Sequence, residues 1–346
     1  EALSAFVEEN SSLGASQYDQ WMETEDSLRV SIKQLLNADS VDDITLLRNT
    51  SEGLNIIAQG IQWTEGDEIV VFHNEFPSNL LPWLWLRNQG VEVREVHCRT
   101  PEATESLISA LSNQTKLVAV SSVQFDTGIR IDLKRLGEAC QQHGALLCVD
   151  AIQHLGALPL DVSKLAVDFV VCGSHKWLMA PEGLGLMWSK HSVRNQLTVA
   201  LPGWRMYEDP FDFNRTDWQP PRSGKRFETG TINMFGVHGL LASIDLLNSL
   251  NPDETGLALL ARTQHIIDRL NHFSQVQLIT PKPQDQHAGI VAFSIEDVDL
   301  KSVVEKLHSQ EIYVAKRGDS LRLSPHFYTP FAQIDHALDC LEQVLC

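Results

Sequence analysis

Two stretches of sequence decide the fold: residues 146–156, LLCVDAIQHLG, and residues 168–188, DFVVCGSHKWLMAPEGLGLMW. Each begins with a short apolar run that is typical of a buried strand, and polar residues follow each run at once. Asp150 ends the first run, and Lys176 follows the second after Gly-Ser-His. Further strands are predicted at 44–48, 68–72, 91–97, 117–123 and 183–189, alternating with helices at 24–37, 79–89, 102–112, 132–144 and 236–250. This alternation predicts an α/β fold whose mostly parallel sheet is covered by helices on both faces.

Composition and charge exclude several classes of protein. The chain has 346 residues, with 27 Lys and Arg against 45 Asp and Glu, and its net charge of −18 repels nucleic acid and anionic lipid. No segment approaches the roughly 20 apolar residues of a membrane span, and no signal peptide is recognised. The six cysteines lack C-x-x-C spacing, so we expect neither a disulfide framework nor a metal site. We therefore expect a cytoplasmic protein without nucleic-acid or membrane partners.

The chain is predicted to form two domains. Residues 1–250 would form a large α/β domain, and residues 251–346 a small C-terminal α/β domain with NPDETG (251–256) at the boundary. In the second domain, helices are predicted at 257–273, 299–309 and 330–345, and strands near 289–295 and 312–324. Because the chain does not begin with Met, we expect its N-terminal segment to be incomplete. The Pro- and aromatic-rich loop at 202–228 is long enough to predict a function or an interface.

Lys176 and Asp150 carry the most informative chemistry. A lysine at the buried end of a strand is costly unless its charge is used. Burial lowers the pKa of a lysine, which suits it to Schiff-base formation, and a nearby carboxylate suits a protonated pyridine nitrogen. The pair suggests pyridoxal phosphate as the cofactor. The spacing alone is equally compatible with a surface lysine and a capping aspartate.

The two stretches together resemble a known family. V-D-A-x-Q at 149–153, followed by S-H-K-W-L-x-x-P-x-G-x-G at 174–185, is similar to the class V aminotransferases. These are fold type I pyridoxal-phosphate enzymes that include cysteine desulfurases, selenocysteine lyases, kynureninases and isopenicillin-N-epimerase-like proteins. The resemblance extends from about residue 25 to residue 345. It implies the cofactor pyridoxal 5'-phosphate, a large cofactor-binding domain and a small amino acid as substrate.

The resemblance assigns roles around the cofactor ring. Lys176 would hold the cofactor as an aldimine and move protons, and Asp150 would keep the pyridine nitrogen protonated. Gln153 would reach the ring hydroxyl. In the segment EFPSN (75–79), Phe76 would stack on the ring, where desulfurases place a His. In QFDTG (124–128), Gln124 would replace an Asn that relatives place near the ring hydroxyl.

Further residues would bind the phosphate. Thr50 and Ser51, in the segment NTSE (49–52) between a strand and a helix, resemble the family's phosphate cradle at a helix N-terminus. A plain helix cap is the alternative. Ser174 and His175 resemble further donors on the phosphate side. In RFETGT (226–231), Thr231 would reach the phosphate of the neighbouring subunit, which implies a homodimer with composite active sites.

Near the C-terminus, one residue resembles the family and one segment departs from it. Arg322, in SLRLSPHFY (320–328), resembles the arginine that binds the substrate α-carboxylate, although a structural ion pair is the alternative. Cysteine desulfurases carry a nucleophilic Cys on a loop between the last strands. Here Arg317-Gly318-Asp319-Ser320 joins those strands directly, and none of the six cysteines lies there. A persulfide on an enzyme cysteine is therefore not expected.

These observations predict a pyridoxal-phosphate-dependent, class V aminotransferase-like enzyme that transforms an amino acid through a Lys-bound aldimine. The alternative within the family is a cysteine or selenocysteine C–S lyase, or an epimerase-like enzyme, without a catalytic Cys loop. A nucleotide-dependent dehydrogenase would need G-x-G-x-x-G, and only Gly183-Leu184-Gly185 approaches it. A zinc deaminase is suggested by His73-Asn74-Glu75, but no P-C-x-x-C follows. A non-catalytic binding protein would be expected to lose Lys176 or Asp150.

Overall fold

A seven-stranded sheet forms the centre of the fold in a computed structural model, which describes residues 1–214 and 217–345. Its strands are β1 (Ile44–Leu47), β2 (Glu68–Phe72), β3 (Glu92–Val96), β4 (Thr115–Ser121), β5 (Leu146–Asp150), β6 (Phe169–Gly173) and β7 (Gly185–Ser189). Their order across the sheet is β1-β7-β6-β5-β4-β2-β3. Strands β2 to β6 are parallel, whereas β7 is antiparallel to both β6 and β1. The predicted mostly parallel sheet is confirmed.

Helices cover both faces of this sheet. They are α1 (Ala2–Leu13), α2 (Tyr18–Leu36), α3 (Thr50–Gly60), α4 (Leu81–Trp85), α5 (Ala103–Ser109), α6 (Leu133–His143), α7 (His191–Arg194) and α8 (Met234–Ser249). Alternate strand residues point to opposite faces, so Val118 joins a core with α2, α5, α6 and α8, while Leu117 joins one with α3 and α4. Both cores are apolar and buried, as a sheet between two helical layers requires.

The last quarter of the chain builds a second, smaller sheet. Its elements are α9 (Pro252–Leu270), β8 (Val276–Leu278), β9 (Val291–Ile295), α10 (Leu300–His308), β10 (Ala315–Arg317), β11 (Ser320–Leu323) and α11 (Phe331–Leu345). The four strands are antiparallel in the order β10-β11-β9-β8. They share an apolar core with α9, α10 and α11. The division of the chain at residue 250 stays a prediction.

Several elements differ from those predicted. Helix α1, the first turns of α2 and strand β8 were not predicted. The predicted helix at 79–89 is only the short α4 between two 3₁₀ turns. Helix α9 begins at Pro252 and not at 257, because Asn251 accepts a hydrogen bond from the Asp253 N–H at 3.0 Å and proline suits the first helical turn. The predicted strand at 312–324 is a hairpin that turns at Gly318, whose φ is 57°.

A buried cluster of four charged side chains ties the loop at 202–228 to the large sheet. Glu228 accepts two hydrogen bonds from Arg29, at 2.7 and 2.8 Å, and one from the Leu46 N–H at 2.9 Å. Glu25 accepts two from Arg205, at 3.0 and 2.8 Å. All four charged side chains are buried. Because the ends of this loop are held in the core, the segment that follows it is held as well.

Two kinds of feature are absent from the described residues. None of the helices in 1–214 and 217–345 is long and apolar enough to cross a membrane. Within the same ranges, no three His, Cys, Asp or Glu side chains are grouped so that they could hold a metal ion.

Candidate active site

The predicted site residues follow strands whose carboxyl ends meet at one edge of the large sheet. Ser121 ends β4 and is the register partner of Asp150, which ends β5. Gln124 and Gln153 lie three residues beyond these two strand ends, and Lys176 lies three residues beyond the end of β6. Ligands of parallel sheets bind at such an edge. The topology therefore places residues from three loops at the same edge of the sheet.

Asp150 is a buried carboxylate that accepts a hydrogen bond from the backbone two residues further along the chain. Its side chain is 2% exposed, and Oδ1 accepts a hydrogen bond from the Ile152 N–H at 3.0 Å. Burial raises the pKa of Asp150 to about 6, against the opposing effects of that hydrogen bond and of the Lys176 charge. A cation placed on Asp150 would lower this pKa and keep the carboxylate ionised. The position suits a partner such as a protonated ring nitrogen.

Lys176 is a half-buried amine under several electrostatic influences. Burial lowers its pKa, Asp150 acts in the opposite direction, and the positive charges of Arg322 and Arg317 lower it further. A lowered pKa increases the fraction of neutral amine, which is the nucleophilic and proton-accepting form. The Nζ atom lies 5.8 Å from the ring centre of Phe76. Phe76 is 45% exposed, so its ring faces open space beside the amine.

The two predicted amide side chains are both buried and held by hydrogen bonds. Gln153 Oε1 accepts from Trp177 Nε1 at 3.0 Å. Gln124 Nε2 donates to Glu75 Oε1 at 3.1 Å and to the Ser121 carbonyl at 3.2 Å. Gln124 Oε1 is buried and has no hydrogen-bond partner among the described residues.

The N-terminus of α3 offers a cradle for an anion. Asn49 caps this helix, because its Oδ1 accepts the Glu52 N–H at 2.9 Å. Thr50 is 5% exposed, and its buried Oγ1 has no hydrogen-bond partner in the described part of the chain. A Cβ on Gly173 would lie 3.2 Å from Thr50 Oγ1 and 3.3 Å from the His175 ring, so glycine keeps this corner open. Such an orphaned hydroxyl beside a helix N-terminus fits a phosphate group.

The other predicted phosphate ligands differ in how well they are placed to bind a phosphate. Ser51 Oγ donates to Ser78 Oγ at 2.8 Å on the same helix end. The buried Ser174 hydroxyl contacts the carbonyls of Pro181 at 2.6 Å and Leu184 at 2.8 Å. A hydroxyl has one proton to donate, so Ser174 has none left for a phosphate in this arrangement. Thr231 is exposed and lines a small cavity together with Arg48 and Glu52, which flank the start of α3.

Arg322 reaches the site from the small sheet. Its Nη1 donates to the Phe125 carbonyl at 2.7 Å, and its buried Nε has no hydrogen-bond partner in the described structure. No carboxylate among the described residues lies within ion-pairing distance of Arg322, so the alternative of a structural ion pair is not realised there. Burial lowers the pKa of Arg322, and Arg317 lowers it further, against the attraction of Asp126. Arginine stays charged even so, which leaves a cation available to a ligand.

Glu75 is the site residue that sequence reasoning missed. It is 4% exposed and accepts hydrogen bonds from the Ser121 N–H at 2.7 Å and from the Ser121 hydroxyl at 2.5 Å. Burial raises the pKa of Glu75 to about 7, and the Asp150 charge raises it in the same direction against these hydrogen bonds. Its only signal in the sequence is its position directly before Phe76 and after a buried strand.

Comparison with known proteins gives a consistent result. The sequence matches the profile of the family described as "Aminotransferase class-V" over residues 4–326. A protein of Pyrococcus abyssi named "Probable cysteine desulfurase" is 30% identical over 342 residues, which cover 93% of this chain and 83% of the relative.

Two solved structures of the cystine C–S lyase C-DES resemble the fold at 26% identity, with TM-scores of 0.89 and 0.90. They cover 98% of this chain and 90% and 91% of their own chains. One holds glycine covalently linked to its PLP cofactor, and the other holds the reaction product cysteine persulfide.

Proposed function

Because the chain belongs to the class-V aminotransferase family, we propose that its site is a C–S lyase that cleaves a sulfur amino acid of the cystine type. The chain is a pyridoxal-phosphate-dependent enzyme with the fold of type I. One observation carries the choice of reaction: β10 and β11 are joined by the two-residue turn Gly318-Asp319, which holds no cysteine. The site therefore lacks the loop cysteine that a persulfide-forming desulfurase needs.

The residues present fit the cofactor. The unpartnered Thr50 hydroxyl at the start of α3 would bind the phosphate with Ser51 and His175, and the buried carboxylate of Asp150 would pair with the ring nitrogen. Phe76 would stack on the ring. When bound, pyridoxal 5'-phosphate takes up the electron pair left at the substrate α-carbon.

Lys176 would act as the general acid–base residue of the reaction. Its amine is partly desolvated, so a neutral Nζ can accept the proton from the substrate α-carbon. Loss of that proton lets the bond between the β-carbon and sulfur break, and the bonding electrons leave with sulfur. From cystine the leaving group is cysteine persulfide, and water converts the remaining fragment to pyruvate and ammonia. An enzyme thiol is not required at any point.

The deciding experiment is a screen of amino acids with and without a keto-acid acceptor. Cystine is expected to give pyruvate and a persulfide without acceptor, whereas cysteine should react more slowly and form no alanine. A Lys176→Ala sample serves as the blank. Turnover that depends on the acceptor would identify an aminotransferase and contradict the proposal.

Arg322 and Arg317 would bind the two carboxylates of cystine. Arg317 has no carboxylate partner within ion-pairing distance among the described residues, and it donates only to the Lys316 carbonyl at 3.1 Å. We expect Arg322→Ala to raise KM for every substrate by about tenfold to a hundredfold, the worth of a charge-assisted hydrogen bond. Arg317→Ala should raise KM for cystine several-fold more than KM for cysteine, which has only one carboxylate.

Steady-state kinetics on both substrates test this prediction. Lys316→Ala is the matched control, because neighbouring residues of a strand point to opposite faces. An Arg317→Ala variant whose KM rises equally for cystine and cysteine would remove the basis for the two-carboxylate substrate.

The functional unit would be a homodimer with composite sites. Thr231 is exposed, and the preceding loop exposes Trp204 by 40%, Phe213 by 76% and Trp218 by 51%. Exposed apolar patches of this kind mark protein interfaces. A cavity beside α3, lined by Ile56 and by residues 199–201, lies next to the phosphate cradle. A neighbouring subunit seated there would bring its Thr231 to the phosphate.

We expect the double variant Trp204→Asp, Phe213→Asp to be monomeric in analytical ultracentrifugation and to lose most of its activity. Leu257→Asp, at a residue of α9 that is 63% exposed, should remain a dimer with full activity. A wild-type protein that is monomeric and fully active would contradict the composite site.

The cysteines are expected to be dispensable. The five described cysteines are free thiols, as in a reducing compartment, which supports a cytoplasmic location; Cys346 lies outside the described residues. Burial raises the pKa of the Cys140 thiol to about 12 and raises that of Cys148 and Cys172 as well, so these thiols are poor nucleophiles. Replacing each of the six in turn should keep kcat/KM within about tenfold, or 1.4 kcal/mol of barrier. One replacement that abolishes cysteine-dependent alanine formation would show a persulfide route.

A further inference from the structure

Glu75 is a buried carboxylate at the site, and the proposed reaction gives it no role. No Lys, Arg or His among the described residues pairs with it. Its Oε1 accepts from the Ser121 N–H at 2.7 Å and from Gln124 Nε2 at 3.1 Å, and its Oε2 contacts the Ser121 hydroxyl at 2.5 Å. Because both carboxyl oxygens are occupied by Ser121 and Gln124, Glu75 can affect a ligand only by fixing the position of these two residues. Of these groups, Gln124 is the one with a further polar atom, Oε1, that is buried and has no partner in the described structure.

The contacts of Gln124 fix which end of its amide faces the site. Its nitrogen lies close to two oxygens, Glu75 Oε1 at 3.1 Å and the Ser121 carbonyl at 3.2 Å. The carbonyl can only accept, and Glu75 Oε1 already serves as an acceptor for a backbone N–H. The amide oxygen must therefore point the other way, where it is buried and accepts no hydrogen bond from any described residue. An unsatisfied buried acceptor is unfavourable and calls for a donor from a ligand.

The amide of Gln153 is oriented the opposite way from that of Gln124, with its oxygen engaged and its nitrogen free of partners among the described residues. Its Oε1 accepts from Trp177 Nε1 at 3.0 Å, and an indole N–H can only donate. The nitrogen of this amide therefore remains as a donor, with no partner in the described structure. The two amides lie on loops after the adjacent strands β4 and β5, one offering an oxygen and the other an N–H.

We propose that Glu75 is a positioning residue that holds Gln124 as a hydrogen-bond acceptor toward the ring hydroxyl of the cofactor, with Gln153 as the opposing donor. A hydroxyl both donates and accepts, so it can satisfy both amides at once. Gln124 then favours the proton on the ring oxygen, and Gln153 favours its loss. The inference rests on the proposed function, because it requires the cofactor to bind.

Absorption spectra of the loaded protein test the inference through the position of this proton. The form with the proton on the ring oxygen absorbs in the near ultraviolet, and the form with the proton on the lysine-linked nitrogen absorbs in the visible. The two forms carry the same number of protons, so their ratio at a fixed pH is the quantity to measure. Gln124→Leu should change this ratio by about tenfold in favour of the visible band, which corresponds to about 1.4 kcal/mol. Gln153→Leu should change it in the opposite direction. Gln141→Leu, an exposed amide on α6, is the control and should not change it.

Glu75 is tested by two substitutions. Glu75→Leu should change the ratio of the two bands as much as Gln124→Leu does. The double variant Glu75→Leu, Gln124→Leu should change it no further, because both substitutions remove the same contact. Glu75→Gln can still accept through its oxygen and donate to the Ser121 hydroxyl, so its change in the band ratio should be less than half as large on a logarithmic scale. If Glu75→Leu does not fold, the comparison of Glu75→Gln with Gln124→Leu still decides.

Three results would overturn the inference: an unchanged band ratio in Gln124→Leu, changes of the same sign in Gln124→Leu and Gln153→Leu, or a change in Glu75→Gln as large as that in Gln124→Leu. Borohydride reduction, followed by peptide mapping of the labelled lysine, shows separately whether each variant carries the cofactor. A wild type that takes up no cofactor would contradict the proposed function and not the polarity of the amides.

Discussion

Lys176→Ala should lower turnover of every amino-acid substrate by at least about a thousandfold, the loss expected when a general acid–base residue is removed. The structure gives the physical reason. Lys176 is a half-buried amine whose pKa is lowered by burial, with Asp150 acting against this effect. Its Nζ lies 5.8 Å from the ring centre of Phe76, and the charges of Asp150 and Arg322 both act on it, so under the proposed function it would reach both cofactor and substrate. Alanine at this position leaves no group that can move the α-proton.

Three measurements make this prediction specific. Borohydride reduction should attach the cofactor covalently to Lys176 in the wild-type protein and to no residue in Lys176→Ala. The variant should still bind cofactor weakly, because the Thr50 cradle and Asp150 remain. Lys190→Ala is the matched control, since Lys190 follows β7 at the opposite end of the sheet and is exposed. Label on another lysine, or residual turnover within tenfold of wild type, would refute the assignment.

The parts of the molecule that could be predicted from the sequence have local signatures. Apolar runs followed by polar residues indicated the strands of the large sheet, and Lys176 and Asp150 stand at the ends of two of them. Parallel strands bring such ends to one edge, so the gathering of these residues follows from topology alone. Thr50 was predicted from the resemblance to the family's phosphate cradle, and its place between a strand and a helix is typical of a helix N-terminus. The cap itself is Asn49.

The parts that could not be predicted depend on contacts between distant segments. Glu75 and Gln124 are 49 residues apart, and Arg29 and Glu228 are 199 apart. A single charged residue carries no sign in the sequence of which partner will bury it. The Ser174 hydroxyl was expected to face a phosphate, but the loop before β7 supplies two carbonyls that occupy it. Side-chain direction in a loop depends on such neighbours and not on spacing.

The second large effect is expected on stability and concerns the buried pair of Arg29 and Glu228. Glu228→Ala should lower the free energy of unfolding by about 3–5 kcal/mol, because the loss of one partner leaves a buried charge without compensation. Arg29 is 3% exposed, and its two other carboxylate neighbours are farther away. Glu25, at 3.5 Å, already holds Arg205, and Asp26, at 3.8 Å, is exposed to solvent. The Leu46 N–H of β1 would lose its acceptor at the same time.

Denaturant unfolding of the loaded protein measures this effect. Glu105→Ala, which breaks the exposed pair of Arg135 and Glu105, should cost no more than about 1 kcal/mol. The double variant Arg29→Met, Glu228→Leu should recover part of the stability lost in Glu228→Ala, because it removes both buried charges and keeps apolar volume.

Glu228 lies three residues before Thr231, so its loss should also loosen the segment proposed to complete the neighbouring site. We therefore expect Glu228→Ala to weaken cofactor binding, and the double variant to restore binding only as far as it restores the loop. Equal costs for Glu228→Ala and Glu105→Ala would mean that the buried cluster does not hold this loop to the sheet. In that case the dimer contact would have to hold the segment by itself.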